Sequence, residues 1–157
     1  MTKEKIQQYT LRIARANSTD TIVILYEMLL DYVDDAENAL KLKDETALAD
    51  AVRKARGCLN ELLQSLNMDY EIAGNLKQLY MFCLRKLVHT QAGHEEAPDE
   101  IRRVIAPLRD AFEEIAKFNQ NGPVMGNSQT VYAGLTYGRN TLTENMTDQG
   151  ANRGMRV

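Results

Sequence analysis

Apolar residues recur every three or four positions through the first 118 residues, the period of helices that each bury one face. Five such stretches are legible. The first covers roughly 3–15, with Ile6, Tyr9 and Ile13 on one side. The second covers 20–41 on Ile22, Leu25, Leu29, Val33, Ala36 and Leu40. Tyr26, Met28, Leu30 and Tyr32 widen that stripe, so this helix is buried on more than one side or keeps a side for a partner. The third covers 45–66 on Leu48, Val52, Ala55, Leu59, Leu62, Leu63 and Leu66. The fourth covers 70–91 on Ile72, Leu76, Leu79, Tyr80, Cys83, Leu87 and Val88. The fifth covers 98–118 on Ile101, Val104, Ile105, Leu108, Phe112, Ile115 and Phe118.

Punctuation agrees with these limits. Asn17-Ser18-Thr19-Asp20 offers N-capping side chains before the second helix, and Asp44 offers one before the third. Pro98 suits a first helical turn. Pro107 inside the fifth helix predicts a bend, and Gly57 inside the third costs ~1 kcal/mol relative to alanine and leaves room for a close helix crossing. Asn67-Met68-Asp69 is short enough to make helices three and four antiparallel neighbours. The expected fold is all-α: an antiparallel up-down four-helix bundle, an additional short N-terminal helix, and a largely flexible C-terminal tail. Residues 1–118 form the bundle domain in this reading, and 119–157 the tail, which holds six of the nine glycines.

Composition removes several function classes. A net charge of −3 gives no basic face for nucleic acid. No apolar run is long enough to insert in a membrane, and the N-terminus lacks a secretory core, so the expected location is the cytoplasm. Cys58 and Cys83 fall on apolar stripes and read as small buried hydrophobes. His89 and His94 belong to no metal-binding helix motif, and His94-Glu95-Glu96 reads better as a solvated loop than as a surface metal site. No nucleophile has a base at a readable spacing, and no glycine loop cradles a phosphate. The expectation is no enzyme activity, no metal and no cofactor. Tyrosines on the apolar faces, in a chain without tryptophan, point instead to surfaces that are alternately wet and covered.

Two strings carry a family likeness. Tyr9, Asn17-Ser18-Thr19-Asp20 and Ile24-Leu25-Tyr26 form the first. Glu71-Ile72-Ala73-Gly74-Asn75-Leu76-Lys77-Gln78-Leu79-Tyr80 forms the second. In this order they resemble the flagellar secretion chaperone family FliS, over about residues 5–118. Departures are the missing helix-start proline, Glu27-Met28 where a glycine usually follows Leu-Tyr, Asp69-Tyr70 in place of Gly-Gly, and Pro107. The string Val131-Tyr132-Ala133-Gly134-Leu135-Thr136-Tyr137-Gly138 also resembles C-terminal extensions of some relatives.

The resemblance implies a cytoplasmic chaperone that holds the C-terminal segment of flagellin, prevents premature polymerisation and keeps the subunit competent for export. A component of the export gate is a further implied partner, and the chain is expected as a monomer or weak dimer. The expected client surface comprises Ile22, Tyr26 and Leu30 on the second helix with Leu76, Leu79 and Tyr80 on the fourth. Tyr26 and Tyr80 are carried over from the two Leu-Tyr motifs. Tyr9 is expected on a first helix that covers the groove until a client arrives. The competing reading is a helical adaptor or regulator with a client other than flagellin. A second reading of the tail has it fold back onto the bundle and imitate the client.

Overall fold

A computed structural model of the chain describes residues 1–121. The expectations for 122–157, including the string 131–138, lie outside the described residues. Within them the chain is all-helical: α1 Lys3–Arg15, α2 Ser18–Leu42, α3 Glu45–Ser65, α4 Glu71–Gln91 and α5 Ala97–Asn121.

Local chemistry sets the boundaries. Asn17 is the N-cap of α2. Its side chain accepts the Asp20 N–H at 2.8 Å, and the Asp20 carboxylate accepts the Asn17 N–H at 3.4 Å. This reciprocal box starts the helix at Ser18, earlier than the apolar pattern alone indicates. Asp44 caps α3 by accepting the Ala47 N–H at 3.0 Å. Between them Lys43 takes a left-handed conformation, φ 55°, and lets the Asp44 N–H reach back to the Ala39 carbonyl at 2.9 Å. Gly93, at φ 98°, closes α4 in the same way, with the His94 N–H on the His89 carbonyl at 3.0 Å. Pro98 lies in the first turn of α5, where a missing N–H costs nothing. The same helix runs on through Pro107 to Asn121. Pro107 and Arg103 are both exposed, so water can serve the carbonyl that loses its donor.

Four helices close a ring: α2 packs on α3, α3 on α4, α4 on α5, and α5 back on α2. Leu29, Val52, Leu59, Leu62, Leu87, Ile101 and Ile105 fill its interior and are fully shielded. Each such side chain contributes about 1.5–3 kcal/mol through removal from water. Tyr26 and Tyr80 meet in this interior with both hydroxyls hydrogen-bonded to each other. The Tyr26 ring also lies 5.8 Å from that of Phe112, centroid to centroid, so one contact set joins α2, α4 and α5. Cys58 and Cys83 are buried free thiols, each pushed up to about 12 by burial. At the other level, Arg102 of α5 donates to Asp34 at 2.7 Å and to Glu37 at 3.1 Å, clamping α5 to α2.

Gly57 does not mark a close crossing. A Cβ placed on it meets nothing within 4 Å, and the residue is exposed. Its cost is therefore uncompensated by packing. Gly57→Ala should raise stability by ~1 kcal/mol, read as a higher urea midpoint with an unchanged slope. Glu37 offers a second check. Its hydrogen bond from Arg102 holds its carboxyl below the usual glutamate range. A lowered carboxylate pKa gives stability that is present above the unfolded value and lost as pH falls through the folded one. Glu37→Gln should thus cost up to about 1 kcal/mol at neutral pH, and the difference from the parent should vanish in acid.

Candidate protein-interaction surface

The first half of α2 is apolar almost all the way round. Thr19 and every residue from Thr21 to Tyr26 are buried. A helix of that kind needs cover on more sides than a four-helix ring provides. The remaining cover comes from α1, which packs on α2, and from the end of α5.

The helix α1 is held in an unusual way. Tyr9 is its only buried residue, and Tyr9 is not part of the main core cluster. Beside it the Met1 side chain, just before the helix, packs against the core, and the other anchors are polar and follow a ladder. The Met1 amine meets Asp35 at 2.6 Å, Lys5 meets Asp31 at 2.7 Å, the Tyr9 hydroxyl donates to Asp31, and Arg12 pairs with Glu27. Numbers rise along α1 as they fall along α2, so the two helices run in opposite directions. Glu27, Asp31 and Asp35 are four residues apart and share one face of α2. Burial, reinforced by the hydrogen bond to the Asp31 carboxylate, raises the Tyr9 hydroxyl far above its ordinary pKa. Tyr9 is therefore a neutral donor throughout the physiological range. The Arg12 guanidinium lies 5.7 Å from the Tyr9 ring centre, tying the aromatic anchor to the ionic ones.

The expected client residues divide into two groups. Ile22, Tyr26, Leu76 and Tyr80 lie within the core, at 4% exposure or less, and do not present a free surface. Their apolar stripe is satisfied by the ring of helices, which the periodicity alone leaves open. Leu30 is half-buried against the core, and Leu79 is exposed. Tyr9 sits on α1 as expected, seated against Asp31. The structure brings Tyr26 and Tyr80 together; it does not bring Leu30 or Leu79 to them as one open groove.

The surface holds features that the reading by stripes missed. Beside the expected Leu79, the residues Met68, Tyr70, Met81 and Val88 are exposed apolar residues along α4 and the loop before it. Met81 and Val88 are seven residues apart and share a side of α4, and a shallow cleft there runs past Met68, Gly74, Lys77, Met81 and Arg85. The charge ladder was also legible: three carboxylates at four-residue spacing on α2, with Lys5 and Arg12 on α1. It is found only by scanning polar spacing as well as apolar spacing. Among the described residues no cluster of His, Cys, Asp or Glu has metal-holding geometry, and no helix is long and apolar enough to cross a membrane.

A helix held mainly by surface ion pairs opens easily. Amide exchange of α1 should exceed that of α2–α5, and it should rise further as salt shortens the screening length from about 10 Å at 0.1 M to about 3 Å at 1 M. Asp31→Asn should reproduce the high-salt behaviour at low salt. Salt-independent exchange in α1 would show that Tyr9 burial alone holds it.

The family described as Flagellar protein FliS matches the chain over residues 2–119. No curated protein matches it.

Proposed function

The chain belongs to the FliS family of flagellar export chaperones, and we propose that it binds the C-terminal segment of flagellin, keeping that segment from polymerising before export. The family match across the whole helical region carries this reading. The physical features agree with it. A segment that is disordered when free loses about 2–5 kcal/mol in ordering and needs roughly 1,000–3,000 Å² of contact. Apolar residues spread along α4 offer extended contact of the kind such a segment needs, where a single small pocket does not. The proposal takes α2–α5 as an antiparallel up-down bundle, supported by their ring of contacts and short connections. It places the chaperone in the cytoplasm, where flagellin is made.

Within the proposal, Leu79 and Leu30 touch the client directly, together with Met81 and Val88. Ile22, Leu76, Tyr26 and Tyr80 act from beneath, fixing the helices that carry these contacts. Helix α1 covers part of α2 until the client arrives. Covering lowers the apparent affinity in proportion to the fraction of molecules in the open form.

Titration with the isolated C-terminal segment of flagellin from the same source tests the reading, followed by calorimetry and far-UV circular dichroism together. One-to-one binding with a gain of helix is the expected result. A folded protein that gives no heat and no new helix would leave the adaptor with another client as the better account. Removing residues 1–15 should tighten flagellin binding, and Asp31→Asn in the full chain should do so to a smaller degree. Equal or weaker binding in both would count against a covering role for α1.

A further inference from the structure

The chain carries a net charge of −3, and α4 runs against that balance. From Ile72 to Gln91 the helix holds Lys77, Arg85 and Lys86 and no carboxylate; its acidic residue, Glu71, stands at the first position. On other helices Arg12, Arg102, Arg109 and Lys117 each pair with a carboxylate. Lys86 does so on α4, 2.6 Å from Glu100. Lys77 and Arg85 have no carboxylate partner among the described residues. The Arg85 guanidinium instead lies 5.9 Å from the centre of the Phe82 ring, which holds it at the surface.

These two cations frame apolar area. Lys77 and Arg85 are eight residues apart, about 12 Å of helix, with Met81 midway between them. Together with Met68 they line a cleft of about 540 Å³ whose walls include no carboxylate. Val88 continues the strip seven residues beyond Met81. Met68, Met81 and Val88 are between 41% and 60% exposed, so the strip is open along its length. Methionine side chains adapt to apolar partners of varied shape.

An apolar strip with two unpaired cations at fixed spacing fits one kind of occupant. A basic segment would be repelled, and a neutral one would cover the cations without pairing them, at a cost. An extended segment would bring backbone N–H and C=O groups that this strip of side chains cannot serve, whereas a helix satisfies its own. We infer that the part of the client lying on α4 is an acidic amphipathic helix. Its apolar side rests on Met68, Met81 and Val88, and its carboxylates meet Lys77 and Arg85. The charges select and orient the segment, and the apolar strip holds it. The identity of the client rests on the flagellin reading; its chemistry rests on the face of α4.

Binding of the isolated C-terminal segment of flagellin from the same source to the full chain tests this. The double variant Lys77→Glu/Arg85→Glu alters two exposed side chains and should weaken binding by roughly tenfold or more, the order of two rim pairs turned from attraction to repulsion. Affinity of the parent should fall as salt rises from about 0.1 M to 1 M, and the variant should lose that dependence. Met81→Ser/Val88→Ser should weaken binding and keep the salt dependence. With Gln78, which also lines the cleft, replaced by a benzophenone amino acid, irradiation should link it to a flagellin peptide bearing at least two carboxylates. If the parent binds and either folded double variant binds equally well, or the link falls on a peptide without carboxylates, the inference is overturned while the flagellin reading stands. A parent that binds no flagellin removes that reading and this inference with it.

Discussion

The first two turns of α2 impose the constraint from which much of the rest follows. From Thr21 to Tyr26 no side chain is left in water. A helix in a four-member ring normally turns an exposed side outward. Here that side is apolar too, and the fold answers it with two further covers, α1 and the end of α5. The covers differ in kind. On the inner side Tyr26 is locked by ring and hydroxyl contacts to α4 and α5. On the outer side α1 contributes one buried ring, is preceded by the packed Met1 side chain, and is otherwise tied by charge. Tight packing and a largely ionic contact thus meet on opposite sides of one helix.

Much of this was legible in the sequence because helix formation depends on local spacing. The limits of α3 and α4 follow from Asp44 and the loop 66–70, and the apolar stripes name most of the interior correctly. What periodicity lacks is an account of which side of a wide stripe meets which neighbour. Ile22, Tyr26, Leu76 and Tyr80 look equally suited to a core and to a client groove, since both remove the same apolar area from water. Only the packing of α2 against α4 and α5 assigns them to the core. Gly57 shows the converse limit. A glycine in a helix is compatible with a close crossing or with nothing at all, and the neighbour that would distinguish them is far away in sequence.

The interaction surface was harder to read than the fold for a related reason. Exposed apolar residues such as Met81 and Val88 sit on the same helix as buried ones and differ from them only by rotation about its axis. The ionic ladder between α1 and α2 belongs to a different alphabet, the spacing of charges, and its partners lie 15 to 34 residues apart. Under the proposed function these surfaces have a purpose: holding and then releasing a long segment needs apolar area that the fold leaves available.

The spacing within the ladder has one more consequence. Glu27, Asp31 and Asp35 repeat every four residues, so the charge pattern looks nearly the same after a shift of one turn, about 6 Å along the axis. Electrostatics alone would allow α1 to ratchet along α2 with its cations exchanging one carboxylate for the next. Tyr9 breaks this degeneracy. Its ring fits one socket, and its hydroxyl chooses Asp31. The aromatic residue sets the register that evenly spaced charges leave open.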